Sequence, residues 1–482
     1  MATFPAVSLD PASMPRLGTV DARYQSYNVE MVEVTGGRFW KPYADMGPGD
    51  QGRYQYRPPL DLENKRLRKL AAALGPAYMR VSGTWANKTC FDDRDPAPAT
   101  PPAGFENVLT HRQWQGVADF ARAVDAKITT SMAVSTGTRD GAGHWRPEIA
   151  QRFFAFNRSI GGEIAAAEFM NEPTAPFLAG VPQGYGAADY ARDFHAFRAF
   201  ARESLPGMLV LGPGSVGEAH GKEGDLTTRQ LLAASSPTVD VFSYHHYGAA
   251  SLRCADGDWW PQTTRGAALS ADWLATTSRG FDYYSKLRDA FEPGTPIWLT
   301  ETADAVCGGN PWAATFLDSF RYLDQLGRLA RAGVQVVMHN TLAASDYGLL
   351  DEKSFAPRPN YWAALLWRKL MGETVLDSSV ARTDGLHVYA HARRDRADAV
   401  TLLVLNLDRR EARDIALPSP AERYTLSAEP LDSGEIRLNG APLRLDASDG
   451  LPPLDPVAVP AGPVTLPPAT ITFLTVADVT IR

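Results

Sequence analysis

Apolar residues along the first 370 positions gather into short runs, and amphipathic stretches separate the runs. The runs at 78–81, 128–134, 164–167, 208–211, 239–244, 296–300 and 334–339 are short enough to be strands covered by helices. An eighth, at 27–34, alternates and carries Glu30 in its interior. Residues 62–74 place apolar side chains at 62, 67, 70, 71 and 74, the spacing of one helix face. Residues 114–124, 147–160, 187–203, 281–291, 311–332 and 359–371 also read as helices. Strands that alternate with helices in this way predict an α/β fold, a (β/α)8 TIM barrel. The Gly/Pro-rich stretch 41–59 and the Pro-rich stretch 86–107, with four prolines, have no period and read as loops, and 248–277 reads as an irregular, Trp-rich segment.

Past Gly372 the texture changes. The runs 386–391, 399–406, 424–427 and 469–476 sit between Pro, Gly and Asp turns, the pattern of a β-sandwich. Two N-terminal runs, 7–10 and 17–21, precede the barrel and are expected to join that sandwich. The expected division is 1–20 for the joining strands, 21–372 for the barrel and 373–482 for the C-terminal sandwich.

Composition narrows the function. A length of 482 residues suits a barrel plus one more domain. A net charge of −7 argues against a nucleic-acid partner. No apolar run is long enough to span a membrane, and residues 1–20 lack a signal-peptide core. Cys90, Cys254 and Cys307 form no zinc motif. Cys254 and Cys307 follow strands six and seven, whose loops are neighbours at the barrel mouth, so in an exported protein the two either form a disulfide or stay as free thiols, and the sequence leaves both open. An exported compartment, periplasmic or secreted, is the expected location.

The candidate chemistry lies at strand ends, where barrel enzymes carry their catalytic groups. Asn171-Glu172-Pro173 follows strand four, and Glu301 ends strand seven, 129 positions later. A glycosidase needs two facing carboxyls, one to protonate the leaving oxygen and one to attack or to activate water. Thr84, Tyr247 and Tyr347 also fall at strand ends, and Glu30, inside the first run, is counted with them as a candidate. Tyr247 is placed to hold a nucleophilic carboxylate ionised, or to pack at a loop start. His245 and His246, adjacent in a strand, point to opposite faces and cannot easily share an ion, so a hydrogen bond from one of them to sugar or carboxylate is expected instead of a metal. Cys307-Gly308-Gly309 reads as a plain turn or as a bend whose amides meet an anion. Trp259 and Trp260 read equally as sugar-stacking groups or as loop anchors.

Taken together, 78–84 (YMRVSGT), 168–173 (EFMNEP), 244–247 (YHHY), 297–302 (IWLTET), 336–338 (VVM), 346–352 (DYGLLDE) and 360–362 (NYW) make the chain resemble glycoside hydrolase family 79, the heparanase and β-glucuronidase family. The tail matches too, at 438–440 (LNG) and 451–454 (LPPL). The resemblance implies a retaining β-D-glucuronidase with Glu172 as acid/base and Glu301 as nucleophile. It implies a sugar subsite lined by Glu30, Thr84 and Asn171, a uronate carboxylate held by Tyr347 and the Gly308 and Gly309 amides, and no metal or cofactor. Cys307 stands where the family usually has another Gly, and Glu30 where it often has Asp. Animal heparanases carry a long excised linker after the 82–84 motif; here only the Pro-rich loop follows, so the chain is expected to work unprocessed.

The partner expected is a glucuronide or a glucuronic-acid-containing carbohydrate. The rims carry acidic residues, among them Asp92, Asp93, Asp95, Asp256 and Asp258, and the long loop after Tyr247 could wall one side of the site. Both features favour exo-action. The alternatives are a heparanase-like endo-enzyme on heparan sulfate and a carbohydrate-binding barrel without turnover.

Overall fold

Eight parallel strands close into a barrel in strict chain order: β1 (Gln25–Glu30), β2 (Ala77–Ser82), β3 (Ala126–Ser131), β4 (Ile164–Glu168), β5 (Leu209–Ser215), β6 (Val241–Ala250), β7 (Ile297–Val306) and β8 (Val336–His339). The computed structural model describes residues 6–50, 52–98, 100–220, 224, 226–236, 239–255, 260–382 and 385–481. A helix follows each strand: α1 (Lys65–Ala73), α2 (His111–Ala123), α3 (Glu148–Ser159), α4 (Ala187–Ser204), α5 (Thr228–Ser235), α6 (Ala271–Phe291), α7 (Phe316–Arg331) and α8 (Pro359–Leu370). Asn64 caps α1 by accepting from the Leu67 N–H, and Thr110 and Gln113 form a capping box on α2.

Several boundaries differ from the sequence expectation, and each shift has a local cause. β1 stops at Glu30, and residues Met31–Thr35 turn into a short helix whose Glu33 accepts the Glu30 N–H at 2.7 Å. Glu30 therefore ends its strand. β7 runs on to Val306, paired with an extended β6 across a register shift between Tyr244 and His245, so Glu301 lies within the strand. The apolar run of β7 stops earlier because Glu301, Thr302 and Asp304 interrupt it, all three buried and hydrogen-bonded. α6 begins at Ala271, ten residues before the expected start, capped by Ser270 on the Trp273 N–H. The sequence reading gives no helix at α5, and the short strand Thr89–Asp92, inside the stretch read as loop, pairs with Asn107–Thr110 at its end.

The C-terminal part is antiparallel: β9 (Met371–Leu376), β10 (Leu386–Arg393), β11 (Val400–Asn406), β12 (Arg413–Leu417), β13 (Ala421–Ser427), β14 (Gly462–Leu466) and β15 (Thr470–Val476). One sheet runs β9-β10-β11-β15-β13, and the N-terminal strand Arg16–Thr19 pairs along β9. The other sheet holds β12 and β14, with Val7–Ser8 parallel to β12. Leu9 and Met14 complete a separate core between these sheets. α7 is buried on nearly every face because the sandwich packs on its outer side, where His387 and Tyr389 meet Asp324.

Candidate active site

The site is built around a buried guanidinium. Arg80 points from β2 into the barrel mouth, 1% exposed, a position that demands counter-charges. Its Nη1 donates to Glu301 Oε2 at 2.8 Å. Its Nη2 donates to Glu168 Oε2 and to Asn171 Oδ1, each at 2.8 Å. Glu168, the last residue of β4, also accepts from Ser243 at 2.9 Å and Thr300 at 2.8 Å. Burial works to raise the Glu168 carboxyl, but the Arg80 charge, His245 and the hydrogen bonds from Arg80 and Thr300 together leave the group below the usual range. Glu168 is thus a fixed negative charge beneath the two expected carboxyls.

Glu172 sits four residues past β4 with φ 49, an uncommon backbone conformation for a residue with a side chain. Asn87 fixes this stretch: its amide takes the Asn171 N–H and donates to the Asn171 carbonyl, both at 2.9 Å. Burial, chiefly, raises the Glu172 carboxyl to about 7, and the Glu168 charge adds to it. His245 lies 3.0 Å from Glu172 through Nδ1 and 3.3 Å from Arg80 Nη2 through Nε2. Arginine can only donate, so Nε2 accepts and Nδ1–H donates to Glu172. Burial lowers the His245 pKa to about 4, in keeping with a neutral ring. His246 faces outward against Gly280 of α6, so the pair does split across the strand.

Glu301 accepts from Tyr247 at 2.7 Å as well as from Arg80. Burial and the Glu301 charge hold the Tyr247 phenol well above its usual range, so it stays a donor. Asn340, after β8, donates toward Tyr247 at 3.1 Å, Glu30 at 3.0 Å and Tyr347 at 3.3 Å. Glu30 Oε2 is buried without a protein partner among the described residues. Burial, then Glu301, pushes the Glu30 carboxyl well above the usual range. A side chain at Gly83 would overlap that carboxyl, and Thr84 follows, half-buried, at the same rim.

After β7 the chain turns through Cys307, Gly308 and Gly309, with φ of 65, 85 and 88. All three carbonyls are occupied. Arg253 Nη1 donates to Cys307 O at 2.8 Å, the Asp346 and Tyr347 amides to Gly308 O at 3.1 and 3.3 Å, and Ser251 Oγ to Gly309 O at 2.6 Å. Among the described residues no protein acceptor takes the Gly308 or Gly309 N–H. Cys254 and Cys307 are disulfide-bonded, and Cys90 is free and buried.

Glu172, His245 and Glu301 present oxygen and nitrogen atoms within 4.8 Å of one another, the one such group among the described residues. A cation there would compete with Arg80 for the same Glu301 oxygen. Trp260 packs against the loop after β5, contacting His220 at 4.9 Å, and joins the apolar cluster that holds Tyr247 and Tyr347. Trp259, Asp256 and Asp258 lie outside the described residues.

The sequence reading did not single out Arg80, Glu168, Asn87, Asn340 or Arg253 as site residues, and it gave His245 only a possible hydrogen bond. A signal existed for the first two. Both are charged residues set in runs otherwise fit for burial, and such charges require partners.

Residues 58–327 match the family model described as Glycosyl hydrolase family 79, N-terminal domain. Heparanase from Mus musculus is 28% identical over 468 residues, covering 85% of this chain and 84% of that protein. Heparanase-like protein 1 from Arabidopsis thaliana is 29% identical over 366 residues, 72% of this chain and 65% of that protein. Baicalin-beta-D-glucuronidase from Scutellaria baicalensis is 29% identical over 290 residues, 57% and 52% respectively. A solved 4-O-alpha-L-rhamnosyl-beta-D-glucuronidase from Fusarium oxysporum shares the fold, with a TM-score of 0.66, 14% identity, and coverage of 98% of this chain and 100% of that one.

Proposed function

The chain belongs to glycosyl hydrolase family 79, and we propose that it is a retaining glycosidase that removes terminal β-D-glucuronic acid. The observation that carries this reading is the pairing of two unlike carboxyls. Glu172 and Glu301 bring oxygens within 4.8 Å, compatible with the ~5–5.5 Å separation of carboxyl groups in retaining enzymes. Glu172 keeps its proton to about pH 7, whereas Glu301 accepts two strong donors.

Glu301 attacks the anomeric carbon, the bond to the leaving oxygen breaks, and Glu172 gives that oxygen its proton. A covalent glycosyl-enzyme results. Glu172, now ionised, takes a proton from water, which displaces Glu301 from the same carbon and restores both groups. Arg80 and Tyr247 spread the charge on Glu301 and aim it. Glu30 and Asn171 line the sugar subsite with Thr84, and no step needs a metal or cofactor.

The free Gly308 and Gly309 amides and the Tyr347 hydroxyl suit a uronate carboxylate, each charge-assisted contact contributing roughly 1.5–3 kcal/mol. Exo-action is supported by Trp260, which packs on the apolar cluster that holds Tyr247 and Tyr347. The heparanase relatives favour a second reading, endo-action on a glucuronic-acid polymer. Digestion of heparan sulfate beside an aryl glucuronide separates the two: a rapid fall in polymer chain length on gel filtration sinks exo-action.

The chemistry is tested with nitrophenyl β-D-glucuronide. NMR should find β-glucuronic acid as the first product. Glu301→Gln should abolish turnover, and Glu172→Gln should spare activated aryl substrates and respond to azide. An initial α product overturns retention, and no hydrolysis by the native protein favours a carbohydrate-binding barrel.

A further inference from the structure

The disulfide and Arg253 take no part in the chemistry above, yet both converge on the turn at 307–309. Glycine pairs are the most conformationally free stretches of a chain, so amides meant to meet a carboxylate need outside support. The support comes from one short segment after β6. Ser251 N–H donates to Val306 O at 3.1 Å, and Ser251 Oγ donates to Gly309 O at 2.6 Å. Arg253 donates to Cys307 O at 2.8 Å, and Cys254 is bonded to Cys307 itself. Ser251, Arg253 and Cys254 therefore hold Cys307 and Gly309 of the turn and Val306 before it, once covalently.

Arg253 reaches the other half of the subsite as well. It donates to Ser345 Oγ at 3.1 Å and pairs with Asp346, the residue before Tyr347. Its guanidinium lies 4.2 Å from the centre of the Tyr43 ring, and the Tyr43 hydroxyl bonds to Ser251 Oγ at 2.8 Å. The turn after β7 and Tyr347 after β8 are thus both referenced to the same anchor.

We infer that the Cys254–Cys307 disulfide, with Arg253, is the positioning device for uronic-acid specificity, holding the Gly308 and Gly309 amides at a fixed distance from Tyr347. This rests on the reading of that turn as the uronate subsite. A bond that only stabilised the fold would affect all substrates alike. A bond that aims the amides affects glucuronides selectively.

The test is the double variant Cys254→Ala/Cys307→Gly, chosen because residue 307 has positive φ and glycine accepts it without strain. Cys254→Ser/Cys307→Ser serves as a second variant should the first fold poorly. kcat/KM is measured on nitrophenyl β-D-glucuronide and β-D-glucoside, with Tyr347→Phe in parallel. The glucuronide KM should rise and the glucuronide-to-glucoside ratio should fall about tenfold or more, the size of one weakened charge-assisted contact. An unchanged ratio, or equal losses on both substrates, overturns the inference. If Tyr347→Phe lowers the ratio and the cysteine variants do not, the inference alone fails. If neither lowers it, the uronate reading fails and takes the inference with it.

Discussion

Arg80 shows how one buried charge organises a site. It sits among Glu168, Glu301 and Asn171, and the two carboxylates exceed its single positive charge by one. Adding Glu172 as a third ionised group is costly in so buried a place, which is why its carboxyl is raised to about 7. The stability consequence has a definite sign. A carboxyl raised on folding contributes stability that is complete below its unfolded value, about 4.3, and is lost as pH rises through about 7. Glu172→Gln should therefore raise the melting temperature at pH 8 and leave it nearly unchanged at pH 4.5, as calorimetry at the two pH values would read.

His245 acts in the opposite direction on the same group. Its Nδ1–H donates to Glu172 and favours the ionised form. His245→Phe removes that donor. The alkaline limb of kcat/KM, expected near pH 7 in the native enzyme, should move upward. A limb that stays in place, or moves down, shows that His245 does not tune the acid.

At the scale of elements, the turns after the strands matter as much as the strands. The short 3-10 helix Ala86–Lys88 follows β2, and its Asn87 binds the Asn171 backbone on both its N–H and C=O sides. The Asn87 carbonyl also accepts the Val134 and Ser135 amides beyond β3. One residue thus locks the ends of three neighbouring strands where Asn171 and Glu172 emerge, its side chain holding the end of β4 and its backbone carbonyl the end of β3. Asn87→Ala leaves two buried backbone groups unpaired and should destabilise the protein by about 1–3 kcal/mol for each. The activity loss should exceed the loss of folded protein, which parallel denaturation and kinetic measurements on the variant would separate. β6 and β7 make the complementary point. Their paired extension past the barrel body carries Tyr247 and leads directly to Cys254 and Cys307.

For the whole molecule, the two ends of the chain are built into one sandwich. Val7–Ser8 pairs with β12 and Arg16–Thr19 with β9, and Leu9 is only 1% exposed. A chain starting at residue 21 loses both pairings and uncovers part of that core. Burying a side chain such as Leu9 contributes about 1.5–3 kcal/mol. The truncated protein should melt at lower temperature, and because the sandwich packs on α7, activity should fall with it. Retention of the native melting temperature would mean that the N-terminal strands are ornamental.

Much of this architecture is written in the sequence because it depends on local period. Short apolar runs separated by helical faces give the barrel, Pro/Gly-punctuated runs give the sandwich, and a strand ending in Asn171-Glu172-Pro173 marks the mouth. The same order puts Cys254 and Cys307 on neighbouring loops, while the bond between them is a finding of the structure. What the sequence does not contain is the direction and company of a buried polar side chain. Arg80 and Glu168 are 88 positions apart and meet only because the closed barrel brings β2 and β4 to face one interior. The ends of β1 and β7 also escaped the pattern, because the mouth-facing residues there are chosen for their contacts across the site and not for periodicity. Hydrophobic burial is read one residue at a time, so the chain alone determined the fold. Charge pairing and burial-shifted acidity depend on distances between remote residues, and only the tertiary structure decided them.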